Sequence, residues 1–335
     1  MGRLSIEKRL LFLMPVTNLR SGMGSAISGA VDNPIQRGGP AGLPLIRGSS
    51  IKGSLSSRYF NRMGKKGRDE KKVWAPIFGA LEESAASFNV LDAYLLLFPV
   101  ASLQGGYAYV TSPSLLNRFA RIAHITGEDS LADKALSFRG GEPFGRECYV
   151  EEGSSVLINI EIPQGDGCVI IEPLFVLKPA KKIHKMSELA KALVERIQKS
   201  DMLLKIQGHV VLLSDDMLNL VLEHTIPVTP RVRLRYKEKT VRTGPWWEEA
   251  LPKGTLLYTA FIARESRVPF KREILRELRK LIPLEELSLE LSGGKAEIRL
   301  KPSHIFRIVL EAEAPLYLFL GANESSGRGL VEVIW

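Results

Sequence analysis

The chain has 335 residues, 45% of them hydrophobic and 25% charged, with a formal net charge of +9. That content suffices for one elaborate domain or two smaller ones and excludes wholesale disorder. The basic balance favours polyanionic partners, nucleic acid before an anionic membrane surface. Cys148 and Cys168, with five scattered histidines, give neither a disulfide framework nor zinc-ligand spacing, so reduced, buried thiols are expected.

In chain order, Arg9–Thr17 is almost wholly apolar, as a central buried strand would be. Pro15 and Arg20 spoil any likeness to a signal peptide, and the longest apolar run, Ala93–Ala101, is too short to span a bilayer. A cytoplasmic protein without a membrane partner is expected. Arg20–Gly48 is rich in Gly, Ser and Pro and reads as a long loop, a length usually kept for function. A helix begins near Ser49, with Ser49 or Ser50 as N-cap and Ile51, Leu55 and Tyr59 on one face. Asn61–Lys72 reads as a basic loop, Leu91–Val100 as a buried strand, and Ser112 or Ser114 caps a helix through Ile125. Val156–Ile162 and Val169–Leu177 suit a hairpin. A helix over Met186–Lys199 precedes the strand His209–Leu213. Leu256–Ala263 is a strand, Lys271–Leu281 a charged helix, and Ile305–Glu311, Tyr317–Leu320 and the C-terminus are strands. The irregular alternation suits an α+β fold.

Charge is concentrated. From Arg47 to Lys72 the net is +7, and from Arg231 to Arg242 it is +5, so the remainder carries −3. Arg231, Arg233, Arg235, Lys237 and Lys239 alternate with other residues, which on one strand puts five cations on one face. An edge guarded against aggregation needs only one or two charges, so a polyanion site is the better reading. Prolines and glycines on either side suggest a protruding hairpin.

Asp32 is the only acid between Glu7 and Asp69, an interval with eleven Lys or Arg. Asp32-Asn-Pro is good turn chemistry; the functional alternative is a carboxylate beside a phosphodiester, holding a divalent metal or orienting the attacking hydroxyl. Gly48–Ser54 lacks the Gly-Lys-Ser/Thr order of a nucleotide loop, but a helix start with Ser49, Ser50 and Lys52 suits one phosphate of a bound strand. Arg37 and Arg58, in the same cationic interval, join the nucleic-acid-binding candidates. Trp246 offers a ring for base stacking, and Glu248 and Glu249 carboxylates for acid–base help. Gly321–Gly329 reads as a tight turn carrying Asn323 and Arg328.

These pieces together resemble one family. Val31–Arg37, Leu45–Gly53, Leu91–Tyr94 with Phe98–Val100, Val110–Pro113, Val241–Glu249 and Gly321–Gly329 run in the order found in the RAMP superfamily of CRISPR proteins. Specifically, they are similar to the repeated backbone subunit of type III-B (Cmr) complexes. The resemblance covers essentially the whole chain, and Asp-x-Pro-Ile-Gln-Arg is its most specific piece. It implies a single RRM-like, ferredoxin-type core over residues 1–335, with an insertion at about 18–90 and a thumb hairpin at about 223–253. It implies guide-RNA binding, head-to-tail stacking of copies, contact with other Cmr subunits and cleavage of single-stranded target RNA at regular intervals. Catalysis falls on Asp32 with Mg2+ or Mn2+, guide binding on Lys52, and an adjacent ribose hydroxyl is the nucleophile. Where the family often has Thr-Pro-Leu-His-x-Gly, this chain has Thr17-Asn-Leu-Arg-Ser-Gly22. Arg20 cannot serve as a base there and suits a phosphate clamp. A family tyrosine is replaced by Ala250. A non-catalytic guide-binding scaffold is the alternative; a guide-processing endonuclease fits less well, because the N-terminal loop has no histidine.

Overall fold

The computed structural model describes residues 5–22, 31–62, 75–79, 86–172, 175–197, 205–270, 272–311 and 316–335. Strand β1 (Ile6–Pro15) is central, as its apolar run requires. Next come β2 (Arg37–Gly38), β3 (Leu43–Ile46) and α1 (Gly48–Arg62), then β4 (Phe88–Val90), β5 (Ala93–Ser102) and β6 (Gly106–Thr111). Helices α2 (Pro113–Ile125) and α3 (Asp129–Leu136) precede β7 (Cys148–Val150), β8 (Gly167–Ile171), β9 (Phe175–Lys182), α4 (His184–Ile197), β10 (Val210–Leu213) and α5 (Asp215–Thr225). A separate two-stranded hairpin follows, β11 (Val228–Leu234) and β12 (Val241–Glu249). The chain continues through β13 (Leu256–Arg264), β14 (Ser266–Pro269), α6 (Arg272–Leu278), β15 (Ser288–Ser292), β16 (Lys295–Leu300), α7 (Pro302–Phe306), β17 (Leu316–Phe319) and β18 (Leu330–Ile334).

The main sheet runs β17-β18-β1-β13-β5-β6-β10-β7-β9-β8. Ser102 of β5 also pairs with Ile171 of β8, so six strands close into a ring. β1 is antiparallel to β13 (Leu13↔Leu257) and to β18 (Pro15↔Val331). Its alternating side chains feed two cores. Leu11 and Leu13 pack with residues of α1, α5, α6 and α7, while Leu10, Phe12 and Met14 pack with α2, α3 and α4. Burying each such side chain is worth about 1.5–3 kcal/mol, so the two faces hold the sheet from both sides. Among the described residues no helix is long and apolar enough to cross a membrane, and both cysteines are buried and unpaired.

Four expectations need correction. The loop expected over Arg20–Gly48 contains the β2–β3 hairpin, and β3 joins the main sheet beside β5. Helix α1 begins at Gly48, so Ser49 and Ser50 lie inside it; the capping carboxylate is Asp92, which accepts from the Gly48 amide at 2.8 Å. Val169–Leu177 is not one strand but takes in the end of β8 and the start of β9, which pair antiparallel, and Val156–Ile162 contributes only isolated bridges. Ile305–Glu311 is helical, in α7 and a π turn: Pro302 starts a helix there, Ile305, Phe306, Ile308, Val309 and Leu310 are buried, and Arg307 reaches Glu286. The Tyr59 side chain and most of the basic loop Asn61–Lys72 lie outside the described residues.

Candidate nucleic-acid interface

The hairpin β11–β12 stands out from the core sheet with most of its side chains exposed, including Val232, Leu234, Val241 and Tyr236, the last 88% accessible. Its cations do not form the expected row of five. Irregularities at Arg231/Arg233 and Arg233/Leu234 break the period, and the chain turns over Arg235–Lys239, where Lys239 takes a left-handed φ of 55°. Arg235 pairs with Glu238, and Lys239 lies over the Tyr236 ring at 5.0 Å. Arg233 and Lys237 remain exposed and form no ion pair among the described residues.

Arg231 instead turns inward to Glu248. That carboxylate, only 3% exposed, gathers five partners. It accepts from Trp246 Nε1 at 2.8 Å, Asn323 Nδ2 at 3.0 Å and Arg20 Nη1 at 3.2 Å. Arg231 Nε lies 3.5 Å and Arg328 Nη1 3.7 Å away. A buried carboxylate must be paired to be tolerated. Three guanidiniums around one carboxylate leave two positive charges over. Arg20 Nε and Arg328 Nη1 are buried with no hydrogen-bond acceptor. They are enclosed by the protein, so the cluster carries excess positive charge that only its outer guanidinium atoms can present to solvent.

The glycine-rich loop delivers two of these groups. Gly321 has φ +81°, and a Cβ there would sit 2.0 Å from the Arg20 carbonyl, so only glycine allows the loop to lie on the 18–21 backbone. Ala322 N–H donates to Arg20 O at 2.9 Å and Gly329 N–H to Asn18 O at 3.1 Å, which carries Asn323 and Arg328 to Glu248.

Asp32 lies against the same strand. Its exposed carboxylate accepts from the Trp247 amide at 2.7 Å. Asn33 N–H donates to Trp247 O, and Glu249 N–H to Asn33 O, both at 3.0 Å. The Glu249 side chain accepts from Ile35 N–H at 3.0 Å and holds Arg37 Nη2 at 3.2 Å through both oxygens. Asp32, Arg37, Glu249 and the Glu248 cluster therefore share the base of one hairpin. Among the described residues no three His, Cys, Asp or Glu side chains gather as a metal site.

Helix α1 stands differently from its expectation. Asp92 bonds the Gly48 amide and pairs with Arg47 at 3.3 Å, so a carboxylate already occupies the first amide offered to a phosphate. Lys52 is half-buried, and desolvation holds its pKa below the ordinary lysine value. Arg58 donates to Tyr317 O at 2.6 Å and Ser54 to Phe319 O at 2.8 Å, which docks the helix on β17. Two residues were missed. Gln36 accepts from Ser21 Oγ and the Arg47 amide and donates to Gly22 O, tying the Asp32 segment to the start of α1. Asp92 caps that helix across 44 residues of sequence.

A family model described as the RAMP superfamily matches residues 14–332. The chain is 29% identical over 331 residues to the CRISPR system Cmr endoribonuclease Cmr4 of Pyrococcus furiosus, spanning 97% of this chain and 94% of that one. It is 24% identical over 348 residues to the CRISPR system CMR subunit Cmr4 of Saccharolobus solfataricus, spanning 97% and 95%. Among solved structures it is similar to oligomeric Cmr4 from Pyrococcus furiosus, with TM-score 0.59, 25% identity and 99% and 98% coverage. It also shares its fold with a chain of the type III-B Cmr-beta complex in the apo state, with TM-score 0.66, 21% identity and 98% and 97% coverage. A match from the end of β1 to within the last strand, in sequence and in fold, means that the chain belongs to the RAMP superfamily.

Proposed function

We propose that the chain is the repeated backbone subunit of a type III-B CRISPR complex. In this reading it binds guide RNA, stacks head to tail with copies of itself, contacts other Cmr subunits, and cleaves complementary target RNA beside Asp32 in the cytoplasm. The observation that carries the reading is an exposed carboxylate pinned to the base of a protruding cationic hairpin, next to a cluster with two uncompensated positive charges.

The core is RRM-like in this proposal. Strands β18-β1-β13-β5 are antiparallel neighbours; in sequence α1 falls between β1 and β5 and α7 between β13 and β18, which is the βαββαβ order of a ferredoxin-type sheet. The β11–β12 hairpin, inserted between β5 and β13, is the thumb. Arg20, Arg231 and Arg328 attract a backbone phosphate through the excess charge of the cluster, with Arg231, the most exposed of the three, making the contact. Trp246, held by Glu248, and Asn323 shape that pocket, while Arg233, Arg235 and Lys237 meet phosphates along the thumb. Lys52, beside Ser49 and Ser50, contributes a cation to the guide strand; Arg58 and Arg37 act through packing and pairing.

For cleavage, a ribose 2′-hydroxyl gives its proton to water and attacks the adjacent phosphorus, and the P–O5′ bond breaks as the leaving 5′-oxygen takes a proton from water, giving a 2′,3′-cyclic phosphate and a free 5′-hydroxyl. Asp32 accepts the hydrogen bond that orients this hydroxyl. A single carboxylate suits Mg2+ or Mn2+ only in the mode where RNA phosphates and water supply most ligands, and an ion so held would neutralise charge on the phosphate. Glu248 and Glu249, both fully engaged with cations and amides, organise the site and do not act as acids. In a reconstituted complex, Asp32→Ala should bind target normally and fail to cut it. Undiminished cleavage would sink the catalytic reading and leave the guide-binding scaffold.

A further inference from the structure

We infer that Glu249 is a positioning residue for Asp32, setting the register of the Asp32 segment on the hairpin base; this rests on the catalytic reading of Asp32. Asn33 forms a parallel bridge with Glu248, made by Asn33 N–H to Trp247 O and Glu249 N–H to Asn33 O. In a continued parallel ladder the next bond would join Ile35 N–H to the Glu249 carbonyl. Here the Glu249 carboxylate takes that amide, at 3.0 Å. The side chain stands in for the missing rung.

The same carboxylate holds Arg37 through both oxygens, so the segment is fixed at two points beyond the bridge. Asp32 itself has one described bond, from the Trp247 amide at 2.7 Å. That bond exists only while Asn33 stays opposite Glu248. A slip along β12 would move the Asp32 carboxylate off the Trp247 amide and away from any phosphate held by the neighbouring arginines. Glu249 is half-buried and turned toward Ile35 and Arg37, so it touches no substrate atom and acts through the backbone.

The test uses the reconstituted complex with guide and target RNA and four variants: Glu249→Ala, Glu249→Gln, Asp32→Ala, and Asp32→Ala with Glu249→Ala. Glu249→Ala should keep target affinity within about twofold while cleavage at saturating target falls about 10–100-fold, the scale of a misplaced reacting group. Glu249→Gln, which still offers an oxygen to Ile35, should recover most of the rate. In the Asp32→Ala background the second substitution should add no further loss. Hydrogen exchange at the Ile35 amide should speed up in Glu249→Ala and less in Glu249→Gln.

Wild-type cleavage by Glu249→Ala, or a loss of RNA binding equal to its loss of cleavage, would overturn the assignment. If Asp32→Ala cuts like wild type, the catalytic reading fails by itself, and exchange at Ile35 still judges the brace: unchanged protection in Glu249→Ala removes it.

Discussion

Glu248 gives the sharpest quantitative expectation. Replacing it by alanine leaves Arg20, Arg231 and Arg328 facing one another around a void, and Trp246 Nε1 and Asn323 Nδ2 lose their acceptor. Breaking a buried ion pair by removing one partner costs about 3–5 kcal/mol, and the partial exposure of these guanidiniums puts this case near 3. Glutamine keeps an acceptor for one donor and loses the charge, so Glu248→Gln should cost roughly half as much. At about 2 °C per kcal/mol for a long chain, the melting temperature should fall by about 6 °C in the alanine variant. Thermal unfolding of the purified chain in chloride and in phosphate buffer reads both effects. The alanine pocket should take up phosphate, so added phosphate should raise its melting temperature more than that of wild type. A drop below about 1 °C, or an equal response to phosphate in both proteins, would refute the hub.

Three further outcomes follow from the same geometry. Asp92→Ala removes the acceptor of the Gly48 amide and the partner of Arg47, and should destabilise the chain by about 1–2 kcal/mol in denaturant unfolding. Neutralising Arg233 and Lys237 should flatten the salt dependence of RNA binding by about 0.7–0.9 in logarithmic slope per charge; an unchanged slope would exclude them as phosphate contacts. Lys52 has a pKa held low by burial, so its charge, and any guide affinity it supplies, is present at low pH and lost as pH rises through a value below that of ordinary lysines. Lys52→Arg should remove that alkaline loss in a binding titration across pH.

The helices and central strands were legible because their periods agree with the faces they bury. Leu10–Met14 feeds two cores through simple alternation, and α2 buries Leu116, Phe119, Ala120 and Ala123 at helical spacing. Ile305–Glu311 misled for the opposite reason. Ile305, Phe306, Ile308, Val309 and Leu310 are all buried and Arg307 and Glu311 are the only polar residues among them, too few to fix a period, and short apolar runs do not distinguish strand from helix. The alternating cations misled too, because a strand period was extended through a turn that begins at Arg235. Asp32 stood out by its isolation in charge. Its partners did not, since nothing local to Trp247 or Glu249 points to a segment more than 200 residues earlier.

The distribution of counter-charges separates the cations that build this site from those left for RNA. Arg37 is matched by Glu249, Arg47 by Asp92 and Arg235 by Glu238, so each enters an RNA contact only by giving up a pair. Arg20, Arg231 and Arg328 share a single carboxylate, and a phosphate arriving there completes a pair without breaking one. Under the proposed function, that asymmetry would make the Glu248 cluster a preorganised anion seat, since its arginines are already oriented before RNA binds. Asp32, a carboxylate beside such a seat, would weaken RNA affinity by repulsion. On the proposed catalytic reading, its fixed hold on the Trp247 amide would serve placement against a bound backbone, where one negative oxygen could order a neighbouring hydroxyl while the arginines keep the phosphate in place.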